Sequence, residues 1–208
     1  MGKQIWKPGN MVYPLPVVMV SCKEEGKVPN IITVAWTGTT CTNPAMVYIS
    51  VRPERYSYHI IKKSKEFVIN LTTEKLAYTT DFCGVKSGRD IDKFKETGLT
   101  AVMGSLKQAP MIKESPVNIE CVVVDVIPLG SHHMFVAKVV AVHVDEEYMD
   151  ELGKFHLSQA NPIVYSHGEY YNLGNKLGTF GYSVKKTQKK ARKNFKNSKN
   201  NNKNGQKR

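Results

Sequence analysis

Two long β runs joined by one turn constrain this chain more than any other feature. Val117 to Ile127 is dominated by Val, Ile and Cys, and Pro128-Leu-Gly130 turns it back into His133 to Val144. β-Branched residues suit a pleated, half-buried surface, so the two runs predict one long hairpin. Further strands are expected at Val17 to Cys22, Ile31 to Trp36, Ala45 to Val51, Glu66 to Leu71, Ile163 to Tyr165 and Glu169 to Tyr171. Helical patterns are few and short: Arg55 to Lys65, Thr73 to about Phe82, Asp92 to Thr97 and Glu146 to Leu152. Many strands, short helices and no sustained βαβ alternation predict a mainly β fold, a barrel with helical insertions. A length of 208 residues fits a single domain with a real core.

The formal charge of +12 first suggests a nucleic-acid partner, and its distribution removes most of that suggestion. Of the thirty Lys and Arg, eleven lie from Lys185 to Arg208, where there is no acidic residue. Residues 1–184 then hold nineteen basic against eighteen acidic side chains, a net +1. The expected organisation is a nearly neutral domain over 1–184 and a disordered Lys/Asn-rich tail over 185–208. That tail is a solubilising extension or a weak, salt-sensitive contact for nucleic acid or acidic partners.

Cys22, Cys41, Cys83 and Cys121 have no close spacing, which gives zinc and Cys-x-x-Cys redox chemistry little support. No leader with a long apolar stretch and no run long enough to span a bilayer is visible, so a reducing cytoplasm and no membrane are expected. The Asn70-Leu-Thr72 sequon then means little. Neither a Gly-x-Gly-x-x-Gly after a strand nor a P-loop frame is present, which argues against a Rossmann site and a Walker ATPase.

The stretch most suited to chemistry runs from Asn30 to Tyr58. Its two strand runs flank a hydroxyl-rich connection, Thr37-Gly-Thr-Thr-Cys-Thr42, turned by Asn43-Pro44. Ser50, Arg52 and Ser57, with the start of the following helix, suit an anion, because a helix N-terminus presents unpaired N–H groups. From pattern alone the threonines also read as an edge strand with no ligand. Trp36 reads as core or as a ring platform, and Cys41 as a small buried thiol or one beside a ligand.

At these residues the chain resembles the flavin reductase-like family, the FMN-binding split β-barrel, and within it the flavoredoxin-type branch. Three further stretches carry the resemblance: Phe82-Cys-Gly-Val-Lys-Ser-Gly-Arg-Asp90, Gly130-Ser-His-His-Met-Phe-Val-Ala-Lys138 and Tyr170 to Ser183. It spans about Met11 to Ser183. It implies a Greek-key-like split barrel with non-covalent FMN bound by Ala35, Trp36, Thr37, Thr39, Thr40, Cys41, Ser50, Val51, Arg52, Tyr56 and Ser57, and a basic loop at Lys86 and Ser87 over the cofactor. It places His132 near the flavin edge as the catalytic candidate. Relatives often carry an acid where Ser131 stands, so a protonated His132 is in doubt, and a solvated turn histidine is the plainer alternative. A homodimer is implied by the same resemblance.

The expected activity is that of a flavoprotein oxidoreductase, with electrons passing from NAD(P)H through FMN to free flavin, ferric iron or a protein acceptor. A flavoredoxin-like electron carrier without its own NAD(P)H activity is the alternative. A flavin-free basic binding module is a distant third.

Overall fold

The hairpin forms at full length and anchors everything else. A computed structural model describes residues 2–184; the tail expected to be disordered lies outside the described residues. In chain order the strands are β1 (Leu15–Pro16), β2 (Val18–Cys22), β3 (Asn30–Val34), β4 (Thr37–Cys41), β5 (Met46–Val51), β6 (Glu66–Leu71), β7 (Ala101–Val102), β8 (Met111–Ile112), β9 (Val117–Pro128), β10 (His133–Val144), β11 (Ile163–Ser166) and β12 (Glu169–Asn172). Three helices interrupt them: α1 (Tyr56–Ser64), α2 (Ala77–Val85) and α3 (Lys93–Thr97).

Seven strands form one sheet in the order β3-β2-β6-β9-β10-β5-β4, and every pairing in it is antiparallel. The fold is a mainly β split barrel with short helices. Its interior is filled by alternate residues such as Val18, Val20, Ile49, Phe67, Cys121 and Phe135. β2 is buried along its whole length, because its other face carries Met19 into a second cluster with Cys83 of α2 and Phe94 of α3. Two small sheets, β1-β11-β12 and β7-β8, complete the unit that ends at Leu173, and residues 174–184 hold one 3-10 turn, Tyr182–Val184.

Several expectations change in detail. The hydroxyl-rich connection is an edge strand, β4, paired to β5 alone, which agrees with the edge-strand reading of its threonines. α2 runs through Gly84 and Val85, two residues into the expected loop, and Thr73 caps nothing through its side chain. Only one 3-10 turn, Glu146–Tyr148, forms in the expected last helix. Asn70 of the sequon is fully buried, its amide nitrogen donating to the Met19 carbonyl at 2.9 Å and its carbonyl accepting from the Ile112 amide at 2.9 Å. A buried amide satisfied on both sides is a structural residue.

Candidate functional site

Ala35 and Trp36 carry the chain from β3 at one edge of the large sheet to β4 at the other. The Ser50 amide donates to the Trp36 carbonyl at 2.8 Å and ties this crossing to β5. A cavity of about 270 Å3 opens beside it, walled by Thr33, Trp36, Ser50, Arg52, Asp81 and His132, with Tyr165 and Tyr170 from the small β11–β12 hairpin. The Thr33 hydroxyl donates to the Thr80 carbonyl at 2.5 Å and holds α2 against β3. The Tyr170 hydroxyl donates to the Asp81 carboxylate at 3.0 Å, so hairpin and helix meet at the cavity wall.

His132 reaches the cavity from the β9–β10 turn, where Gly130 takes a φ of 84° that favours glycine. Its ring is parallel to the Trp36 ring within 5°, at a centroid distance of 6.1 Å. The Ser131 hydroxyl lies 3.0 Å from His132 Nδ1. Burial, and then the nearby Arg52 guanidinium, hold the imidazole below its ordinary value. The neutral form therefore dominates at neutral pH, and a hydroxyl partner does not reverse this as a carboxylate would.

A second cavity, about 310 Å3, shares Ile32, Arg52, Arg55 and Gly84 with the first, so the two adjoin along one cleft. It is the basic end. Arg52, Arg55, Lys86, Arg89 and Lys93 line it, against one carboxylate, Glu54, which pairs with Arg52 at 3.2 Å. α1 opens onto it with no side-chain cap and no acidic residue in its first turn. Its N-terminal amides thus add to the positive potential. Arg89 donates to the Glu54 carbonyl at 3.0 Å and sits 5.7 Å from the centre of the Tyr56 ring. Gly88 is required where the loop passes Asn30, since a Cβ there would lie 2.0 Å from Asn30 Oδ1.

The sequence candidates divide three ways. Ala35, Trp36, Ser50, Val51, Arg52 and His132 meet at the first cavity. Arg52, Tyr56, Ser57, Lys86 and Ser87 meet at the second. Thr37, Thr39, Thr40 and Cys41 lie on β4 and line neither of these two cavities. Thr37 is buried, with its hydroxyl donating to the Tyr48 carbonyl at 2.8 Å. Ser57 is buried as well and accepts from the Asn30 side-chain amide at 2.7 Å, so it supports the wall from behind. Thr33, Arg55, Asp81, Tyr165, Tyr170 and Lys93 were not legible as site residues. Most come from α2, α3 and the last hairpin, far along the chain, and apart from Tyr170, which opens one of the resemblance stretches, no local motif marks them.

Fold and cleft together define a split-barrel protein whose cleft runs from aromatic rings at one end to a basic loop at the other. Residues 10–174 match the flavin reductase like domain, and the chain belongs to that family. It has an FMN-binding, oxidoreductase-like fold. The flavoredoxin of Desulfovibrio vulgaris (Miyazaki F) superposes with a TM-score of 0.82 at 28% identity, over 88% of this chain and 100% of that one. An uncharacterized protein of Aeropyrum pernix is 30% identical over 156 residues, 74% of this chain. The match spans only 58% of that relative's length. An NADH:FMN oxidoreductase of Rhodococcus erythropolis is 25% identical over 160 residues, 76% of each protein.

Proposed function

We propose that this protein binds FMN non-covalently and passes electrons from NAD(P)H through it to free flavin, ferric iron or a protein acceptor. The observation that carries the reading is the polarity of the cleft. Its first cavity offers flat rings, Trp36 and His132, and its second offers cations and an uncapped helix start. FMN has the matching polarity, a flat ring system at one end and an ionised phosphate at the other. Clefts of this size, lined by apolar and aromatic groups with a few convergent polar ones, are usual for cofactors.

The residues present fit the cofactor. Arg52, Arg55, Lys86 and Arg89 would hold the phosphate with charge-assisted hydrogen bonds. Trp36, Ser50 and Val51 would border the ring. FMN, when bound, supplies the redox chemistry, accepting electrons in pairs and releasing them in pairs or singly. The protein's part is binding, orientation and electrostatics. His132, neutral and pinned by Ser131, would orient the reductant at the mouth of the first cavity without adding a charge there. The likeness to an NADH:FMN oxidoreductase supports the NAD(P)H-linked reading. The likeness to a flavoredoxin favours the second, a flavoredoxin-like electron carrier without its own NAD(P)H activity.

Two further features belong to the same reading. The outward face of β10 exposes Val140, Val142 and Val144, apolar surface suited to a second copy of this chain. The four cysteines are free thiols, which fits a reducing cytoplasm.

The test is an absorption spectrum of the purified protein before and after anaerobic NADH or NADPH. A flavin spectrum that bleaches with either nucleotide supports the reductase and names the donor. Colour that resists both and yields to dithionite selects the carrier. A colourless protein that takes up no added FMN rejects both.

A further inference from the structure

Lys93 is a buried charge with no partner of opposite sign among the described residues. Only 3% of it is exposed. Its ammonium donates to the carbonyls of Ile31 and Cys83, each at 2.7 Å, and the third of its three N–H groups is left for the cavity. The side chain lines the second cavity. The groups that face it are Cys22 of β2, Cys83 of α2 and Arg55 just before α1. Burial pushes the two thiols up to about 12 and about 11, so neither is an anion. Asp92, its neighbour in sequence, spends its carboxylate on the Lys95 amide at 3.2 Å, and Glu54 is engaged with Arg52.

An ammonium enclosed in this way, with carbonyl dipoles but no counter-charge, is unfavourable unless something completes it. The cavity it lines is where the completing group would sit. We propose that Lys93 is a specificity-determining residue, the buried counter-charge for a doubly ionised phosphate ester, which makes the cleft prefer a phosphorylated flavin to the same ring without phosphate. This rests on the flavin reading above. Arg52, Arg55, Lys86 and Arg89 are exposed, and salt and water screen them. They attract any anion. Lys93 is enclosed and weakly screened, so the ligand's charge is read there most strongly.

The proposal has a pH signature. Burial lowers Lys93 to about 8. A dianion that prefers the protonated form must bind more weakly as pH rises above that value. Uncharged riboflavin has no reason to follow.

The experiment is flavin fluorescence quenching by the full chain, with FMN and riboflavin in parallel, for wild type and Lys93→Met. The expected result is an FMN affinity at least ~10-fold weaker in the variant, with riboflavin changed by less than ~3-fold. In the wild type, FMN affinity should fall between about pH 7 and about pH 9.5 while riboflavin affinity does not. Equal losses for the two flavins, or no loss for either, overturn the proposal, for Lys93 is then only a strut between two carbonyls. If Lys93→Met does not fold, the wild-type pH comparison decides, and a flat FMN affinity overturns it. If the wild type takes up neither flavin, the flavin reading fails and Lys93 is judged on inorganic phosphate. Thermal stabilisation by phosphate that weakens from about pH 8 to about pH 9.5 then supports the anion site. No stabilisation, or none lost with pH, overturns it.

Discussion

The Tyr58 hydroxyl and His133 Nδ1 lie 2.7 Å apart, and this bond ties α1 to the start of β10. Tyr58 stands in the first turn of α1, beside the basic cavity, and His133 follows the residue that faces the first one. The Tyr58 ring also packs edge-on against Phe135, at 5.3 Å between centroids. Tyr58→Phe keeps that packing and removes the bond. The expected cost is about 1 kcal/mol in urea unfolding, the usual net worth of such a bond. A loss within error would mean that His133 finds water instead.

His132 gives a prediction with a sign. Its pKa is lowered by burial and by Arg52, so the cation is lost before pH rises to the ordinary imidazole value. A role for the neutral ring predicts that nucleotide-driven bleaching of the FMN-saturated protein is flat from about pH 7 to about pH 8.5. A rate that falls through that window as a histidine deprotonates would sink the assignment. His132→Asn should slow bleaching by about tenfold or more and leave FMN affinity nearly unchanged.

Lys93 also makes a prediction for the flavin-free protein. Its folded pKa of about 8 lies below the unfolded value of 10.5. Above about pH 8 the unfolded chain holds a proton that the folded chain has released, so stability rises with pH there. The buried thiols act in the opposite sense, their folded values lying above 9.0, and the difference between wild type and Lys93→Met cancels them to first order. From about pH 7 to about pH 8.5, urea unfolding should show the wild type gaining about 0.8 kcal/mol relative to the variant. Parallel curves would mean that Lys93 keeps its ordinary pKa.

The long hairpin was legible because β-branched and aromatic residues dominate both runs from Val117 to Val144 on either side of its turn. β4 was legible only as one of two readings, a connection or an edge strand, since Thr37, Gly38, Thr39, Thr40 and Cys41 lack an apolar alternation and an edge strand needs none. β1, β7 and β8 have two residues each, too short for any period. At the site, Trp36, Arg52 and His132 stood out by residue type within a family pattern. Asp81, Tyr165 and Tyr170 did not, because only the packing of α2 against the last hairpin gives them a common wall. Lys93 sits in a short polar helix and reads as a solvated charge. Its burial depends on where Phe94 anchors that helix, which is a tertiary fact.

Gly104 tests a buried carboxylate that no sequence rule marks. Glu120 is fully buried on β9 and accepts from the Ser105 amide at 2.8 Å and from the Ser105 hydroxyl. A Cβ on Gly104 would stand 1.9 Å from Glu120 Oε1, an impossible approach. Gly104→Ala must move the loop or the carboxylate and weaken those bonds. The expected cost is about 1–3 kcal/mol by urea unfolding, with flavin binding retained. An unchanged midpoint would show that the loop shifts freely.

The outward face of β10 bears on assembly. Exposure alternates along the second half of the strand, and the outward positions are Lys138, Val140, Val142 and Val144. Val140 and Val142 are 45% and 55% exposed, and Val124 on β9 is 55% exposed. A row of valines on one face of a sheet is apolar surface that a partner would cover. Light scattering should therefore give twice the chain mass of 23.4 kDa for the wild type. The double variant Val140→Glu, Val142→Glu should shift the population to the single-chain mass, because paired charges across a two-fold interface are left desolvated and repelling. Circular dichroism should be unchanged, since neither side chain enters the barrel core. A wild type that already runs as a single chain would remove the dimer, and the valines would then need another partner.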